Sequence, residues 1–329
     1  MKRLILLAVT VALSLVPESF AHGMLPETER PAEWSAPVSR RVRYEAEPAV
    51  RGDIIDITLY FRYADTKYLG VERSTIDLTR EETVATLMIS ELVSGPDAQS
   101  ERLSGLFPMG TRVISVKTDG PTAFVTLSSE FLGRPDGAPL DWEESDAWQT
   151  EAALRRRLAF QSIVLSLTEG GQCQRVQLYT AEDDDSVPQR IPLYLLNDEE
   201  TDTTLRLAAC GRDEALLITP SIVMDRVLKA WKEKDWASAY PFIHAGEPVS
   251  NLQSFEREMK DQPVSLLSYT VSNGTIAVDG QSATVVIDAE IQDAAGERAQ
   301  IAREAVPVYR FQDNWMLEYE SLLSLMIRD

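Results

Sequence analysis

Apolar and polar positions along this chain fall into two rhythms, one in each half. Ile54 to Arg62 is dense in Ile, Leu, Tyr and Phe, with Ile55, Ile57 and Leu59 on one side, which predicts a strand. Val84, Leu87, Met88 and Leu92 recur at helical spacing. Thr79 and Glu82 fit a capping box before them, and Gly95-Pro96 stops the run. Thr111 to Lys117 and Thr122 to Ser128 flank Asp119-Gly120, a tight-hairpin signal because glycine accepts positive φ. A second helix is expected over Glu151 to Leu167, with Leu154, Leu158, Ser162 and Leu165 down one face, ended by Gly170-Gly171. Arg175 to Tyr179 reads as a last strand. The resulting order is β-α-β-β-α-β, a layer of two helices over one sheet.

The second half begins with helices and ends with strands. Thr219-Pro220 is an N-cap followed by proline at the first helical position, and Ile222, Val223, Val227, Leu228 and Trp231 form the apolar face behind it. Lys234-Asp235 breaks the run. Trp236 to Ile243 and Leu252 to Lys260 are expected as two further helices. Strands follow over Leu266 to Val278, Ala283 to Gln292, Ala299 to Phe311 and Trp315 to Leu323, with turn signals at Asp279-Gly280, Ala295-Gly296 and Asp313-Asn314. The fold class expected is therefore α+β in two units, the second a set of helices on a curved antiparallel sheet. The acidic stretch 198–218 is read as the linker between units 53–197 and 219–329.

Charge and the N-terminal residues narrow the setting. Lys2 and Arg3, an apolar run from Leu4 to Val16, and Ser19-Phe20-Ala21 follow the order of a cleavable signal peptide over 1–21. Residues 22–52 hold four prolines and no periodicity, and read as a flexible tether. The chain of 329 residues carries a formal charge of −20, and −21 without residues 1–21. Such a chain repels polyphosphate, so no nucleic-acid partner is expected. An exported protein with two cysteines, Cys173 and Cys210, is permitted one disulfide without being required to form it.

Several stretches of the first half occur together in one known family. Leu59-Tyr60-Phe61-Arg62-Tyr63-Ala64-Asp65 is followed by Tyr68-Leu69, then by Glu91-Leu92-Val93-Ser94-Gly95-Pro96. Leu106-Phe107-Pro108-Met109-Gly110-Thr111, Val125 to Phe131, and Gln161-Ser162-Ile163-Val164 come in order after these. In this register they resemble the GerMN module of sporulation and spore-germination proteins, over about Ile54 to Leu196. The insertion Gly133 to Thr150, with Trp142 and Trp148, departs from that pattern, as does the lack of a lipobox cysteine. The resemblance implies a role in contact with cell wall or envelope complexes, including self-association, and a site among Asp65, Glu91, Thr111, Ser129, Glu130 and Gln161. The same residues could instead shape turns and satisfy backbone groups.

The second half is similar to the nuclear-transport-factor-like, cystatin-like cone through Val227-Leu228-Lys229-Ala230-Trp231 and Lys234 to Tyr240. Such cones often enclose an apolar pocket, so Trp231, Trp236, Tyr240, Phe255 and Trp315 are expected either to line one or to fill it as core. Catalytic signals are sparse. The chain lacks H-E-x-x-H, G-x-S-x-G, P-loop and G-x-G-x-x-G patterns, and its two histidines are His22 and His244. The acids near 183–185 and 198–202 lack the alternating ligands and central glycine of a calcium loop. The expectation is a non-catalytic, extracytoplasmic binding or assembly protein with no cofactor and no metal. A small-ligand carrier or enzyme built on the cone is the alternative.

Overall fold

The computed structural model describes residues 54–78, 82–171, 173–246 and 249–327. The expected signal peptide and tether, and Thr79 of the expected capping box, lie outside them.

The first unit has two sheets where the sequence suggested one. In the first, β1 (Ile54–Tyr63) pairs antiparallel with β2 (Leu69–Asp77) along its length and with β3 (Leu103–Ser104) at its end. The second has the order β4 (Val113–Asp119), β5 (Thr122–Ser128), β6 (Arg175–Ala181) and β7 (Gln189–Arg190). Strands β4 and β5 form the expected hairpin, with Gly120 at a φ of 54° in the turn. Strand β6 runs parallel to β5, so a crossover is required, and α2 (Asp146–Thr168) supplies it.

Helix α2 packs against β1 of one sheet and β6 of the other. Every residue from Leu158 to Thr168 is consequently buried, and no single apolar stripe could describe it. Two of its hydroxyls find carbonyls: Ser162 Oγ donates to that of Tyr60, and Thr168 Oγ1 to that of Val164 at 2.6 Å, while Ser166 Oγ and Gln161 Oε1 are buried without a hydrogen-bond partner among the described residues. Strand β2 escaped the sequence reading because Glu72, Arg73 and Asp77 obscure its pairing run. Helix α1 (Val84–Ser94) starts one turn later than expected, at Thr83, whose side chain accepts from Thr86 N–H. Ile89 and Leu92 are its fully buried residues; Leu87, expected beneath the helix, is only half-buried.

The second unit opens as its sequence suggests. In α3 (Pro220–Glu233) Thr219 caps the N-terminus, Pro220 takes the first turn, and Lys234 adopts the left-handed conformation at the end. Helix α4 (Trp236–Ala239) is shorter than expected and tightens into a 3₁₀ turn, Tyr240–Phe242. Strand β8 (Ile243–His244) follows, then α5 (Leu252–Lys260), held by a capping box between Asn251 and Ser254. The sheet comprises β9 (Ser265–Val271), β10 (Thr275–Ile276), β11 (Ser282–Gln292), β12 (Arg298–Phe311) and β13 (Asn314–Glu318). Its order is β10-β11-β12-β13-β8, with β9 also on β11. Alternate residues of β11 are buried, as one covered face demands. Residues Tyr319–Leu323, expected as the end of a strand, instead belong to α6 (Tyr319–Met326), whose Leu322, Leu325 and Met326 close the core.

The five aromatic residues pack within or against this core. Trp231 is 1% exposed, Trp236 5%, Phe255 0% and Trp315 4%; Tyr240 packs on Phe255 with ring centroids 5.5 Å apart. Trp231 Nε1 donates to the Val264 carbonyl at 3.2 Å, so even its one polar atom is used.

The acidic stretch 198–218 is not a free linker. Leu207 and Cys210 are buried in the first core, and Cys210 exchanges both backbone hydrogen bonds with Val176 at 2.9 Å. Cys173 and Cys210 are free thiols: Cys173 Sγ donates to the Leu167 carbonyl, and Cys210 Sγ to that of Gly211. Burial pushes both thiols up from their ordinary range.

The two units meet through the end of the first hairpin. Tyr63 is fully buried within the second core, its ring 5.6 Å from that of Phe242 and its hydroxyl donating to the Pro241 carbonyl at 3.0 Å. Arg102 donates to the carbonyls of Pro241 and Ile243. Asn314 lies beside Val71 like a short strand: its Oδ1 accepts from Val71 N–H at 2.7 Å and its Nδ2 donates to Val71 O at 2.8 Å. Gly70 permits this approach, since a Cβ there would meet Asn314 Oδ1 at 2.6 Å and the Tyr63 ring at 2.7 Å.

Candidate functional site

The six residues proposed from the GerMN resemblance do not converge. Gln161 is buried in α2 with Nε2 donating to Cys210 Sγ at 3.1 Å, a core position. Thr111 is buried too, and its hydroxyl donates to the Pro108 carbonyl, shaping that loop. Ser129 and Glu130 are exposed at the end of β5. A hydrogen bond from the Ser128 side chain, then one from its own backbone, holds the Glu130 carboxyl below the usual range. Glu91 stands exposed on the outer side of α1. Asp65 lies at a concave surface.

That surface is a groove of about 560 Å³ where the units meet. One wall is the turn between β1 and β2. Ala64 and Asp65 take left-handed φ values of 48° and 53°, and Thr66 Oγ1 donates to the Tyr63 carbonyl at 2.6 Å. Beneath it lies Arg62, 4% exposed. Its Nε donates to Thr66 O and its Nη2 to Asp65 O, both at 2.8 Å, while Nη1 reaches Glu151 Oε1 at 2.5 Å. A buried guanidinium must place its donors, and here they fix the turn's backbone. Burial alone would raise the Glu151 carboxyl; hydrogen bonds from Arg62 and Arg155 outweigh it and hold the group below the usual range.

The other wall is α3. Arg226, Lys229 and Glu233 line it, with Asp235 and Ser238 at the start of α4 and Phe242 below. Lys229 reaches Glu233 at 3.9 Å, and Asp235 is engaged by the N–H and hydroxyl of Ser238. Tyr68 carries two cations: Arg226 Cζ is 5.3 Å and Lys67 Nζ 5.7 Å from its ring centroid. Lys67 and Arg226 were missed by sequence reasoning. Tyr68 and the stretch 227–231 had been noticed as motifs, but nothing in their spacing says that they meet.

His244 lies outside the groove, its ring flat on Phe311 with centroids 3.5 Å apart. Burial first, then the charge of Arg102, keeps its pKa below the ordinary histidine value. Among the described residues no three His, Cys, Asp or Glu side chains gather as a metal site, and no helix is long and apolar enough to cross a membrane.

The molecule is thus an α+β protein with a two-sheet unit docked on a helix-and-sheet unit. Residues 58–183 match the family model Germane, described as sporulation and spore germination, which supports a GerMN-type domain in that segment. Among solved structures, a protein of Clostridium perfringens assigned provisionally as a lipoprotein is 18% identical, covering 44% of this chain and 83% of its own, with a TM-score of 0.25. The first GerMN domain of the sporulation protein GerM from Bacillus subtilis is 20% identical over 39% of this chain and 84% of that one, TM-score 0.26. The tandem GerMN domains of the same protein are 16% identical over 42% and 45%, TM-score 0.25. No curated protein matches the chain.

Proposed function

We propose that this chain is a non-catalytic, extracytoplasmic envelope protein whose GerMN-type domain binds cell wall or an envelope protein neighbour, in sporulation or germination. The family match over 58–183 carries this reading. The basic, apolar, small-residue order of residues 1–21 supports export. In this reading the second unit serves as a platform, and the burial of Trp231, Trp236, Phe255 and Trp315 as core supports it over a carrier or enzyme built on the cone. Residues 22–329 incubated with purified cell-wall sacculi should sediment with them, and in intact cells should crosslink to envelope components. A chain that stays in the supernatant and crosslinks only to itself would overturn the reading.

A further inference from the structure

The chain has four asparagines, and the fold commits three of them. Asn314 has both ends of its amide on Val71. Asn251 Oδ1 accepts from the Ser254 N–H, and Asn197 Oδ1 from that of Glu199. Asn273 differs: it is exposed, and among the described residues its side-chain amide has no hydrogen-bond partner. Only its main-chain carbonyl is engaged, by Ser272 Oγ at 3.4 Å. Gly274 follows it, and the Gly274 N–H is likewise unpaired among the described residues. Glycine has no Cβ to screen that nitrogen, whereas Asp198, Leu252 and Trp315 follow the other three asparagines and bring side chains beside theirs.

We propose that Asn273 is a site of spontaneous covalent modification, by cyclisation onto Gly274 and hydrolysis. The Gly274 nitrogen gives its proton to water and attacks Asn273 Cγ. The new C–N bond closes a five-membered imide, the bond from Cγ to Nδ2 breaks, and that nitrogen leaves as ammonia. Water then opens the imide at either carbonyl. One product is aspartate; the other is isoaspartate, whose main chain runs through the former side chain and is one carbon longer. The surroundings give this change a structural effect. Gly274 lies so close to Pro220 and Val285 that a Cβ on it would meet them at 3.0 and 3.2 Å. A main chain lengthened immediately before it must shift against α3 and β11. Strand β10 pairs with β11 through Thr275 and Ile276, and Ile276 and Val278 face solvent. Isoaspartate therefore loosens the hairpin over 273–281 and leaves the core in place.

The test ages residues 22–329 in neutral buffer and maps peptides by mass spectrometry over time. The peptide holding Asn273 should exchange the mass of –NH₂ for that of –OH and split into two chromatographic peaks. A protein isoaspartyl methyltransferase should label one of the two. Conversion should quicken as pH rises, because the attacking nitrogen must lose its proton. Peptides holding Asn197, Asn251 and Asn314 should stay intact over the same period, and so should Asn273→Gln, whose longer side chain disfavours ring closure. Limited proteolysis reads the structural effect: aged wild type should be cut within 273–281 faster than fresh protein at an unchanged melting temperature, and aged Asn273→Gln should not. Survival of Asn273 in the folded chain while the same residue converts in a synthetic peptide would overturn the inference, as would equal conversion at all four asparagines. Asn273-Gly274-Thr275 also fits the acceptor pattern for an N-linked sugar, and a sugar on that amide in protein from the native host would overturn it too. Equal cleavage of fresh and aged protein would remove the loosened hairpin.

Discussion

Helices α2 and α3 are both organising helices, yet they solve burial differently. Helix α3 lies on one sheet and keeps a wet side: Val223, Val227, Leu228 and Trp231 are buried while Lys229, Lys232 and Glu233 are exposed. Its face could be read from periodicity alone. Helix α2 begins at the surface with Asp146, Gln149 and Glu151, then passes between two sheets and loses its wet side. The lesson is that a periodic stripe reports a single covered face, whereas a helix covered on all sides has to place each polar group separately, and in α2 Ser166 Oγ and Gln161 Oε1 are left without a hydrogen-bond partner among the described residues.

Substitutions can break this comparison. The largest effects should come from Trp231→Ala in α3 and Phe160→Ala in α2, each costing about 3–5 kcal/mol through lost burial and a residual cavity. In α2, Leu158→Ala, Ile163→Ala and Leu165→Ala should each cost about 2–5 kcal/mol, although they point in different directions. One tolerant position among these three in urea unfolding would show that α2 keeps a soft face.

Next comes Gly70→Ala, expected to cost about 1–3 kcal/mol because backbone or side chains of both units must shift. The loss should be accompanied by greater protease sensitivity near Asn314. If stability is unchanged, the close approach of the units is looser than the contacts indicate.

Glu151 sharpens the contrast between the two ends of α2. Its folded pKa is depressed, so its stabilising contribution is present above the ordinary carboxylate value of 4.5 and is lost as pH falls through the lower folded value. Glu151→Gln should flatten the decline of urea midpoints below about pH 4.5. Equal acid slopes in variant and wild type would remove Glu151 from that role. The smallest effects belong to the outer faces: Glu91→Ala and Lys232→Ala should each stay within about 0.5 kcal/mol by thermal melting. A larger loss at Glu91 would reveal a partner for its carboxylate.

Element types were legible wherever a local rule governed them. The Thr219-Pro220 start of α3, the Gly120 hairpin and the alternation of β11 follow from capping, turn chemistry and period two. What escaped was decided over long range. Strand β2 is recognisable only once β1 is beside it, and Leu207 and Cys210 join the first core through strands far away in sequence. Tyr319–Met326 are apolar enough for either a strand or a helix, and packing beneath the core decides. The candidate site was legible at one residue, Asp65, because the other wall of the groove lies about 160 positions further along the chain.

The Asn314 amide has a consequence beyond holding the units together. Strand β2 is the outer strand of its sheet, and a bare outer strand offers donors and acceptors to any passing chain. By occupying both backbone groups of Val71, Asn314 acts as a stopper on that edge, with Arg73 and Asp313 paired at 3.3 Å beside it. Undocking the units would therefore do more than loosen the molecule: it would uncover a template for strand-to-strand aggregation. Solubility and domain docking are then coupled, because the side chain that joins the halves also covers backbone groups that a neighbouring copy could pair with.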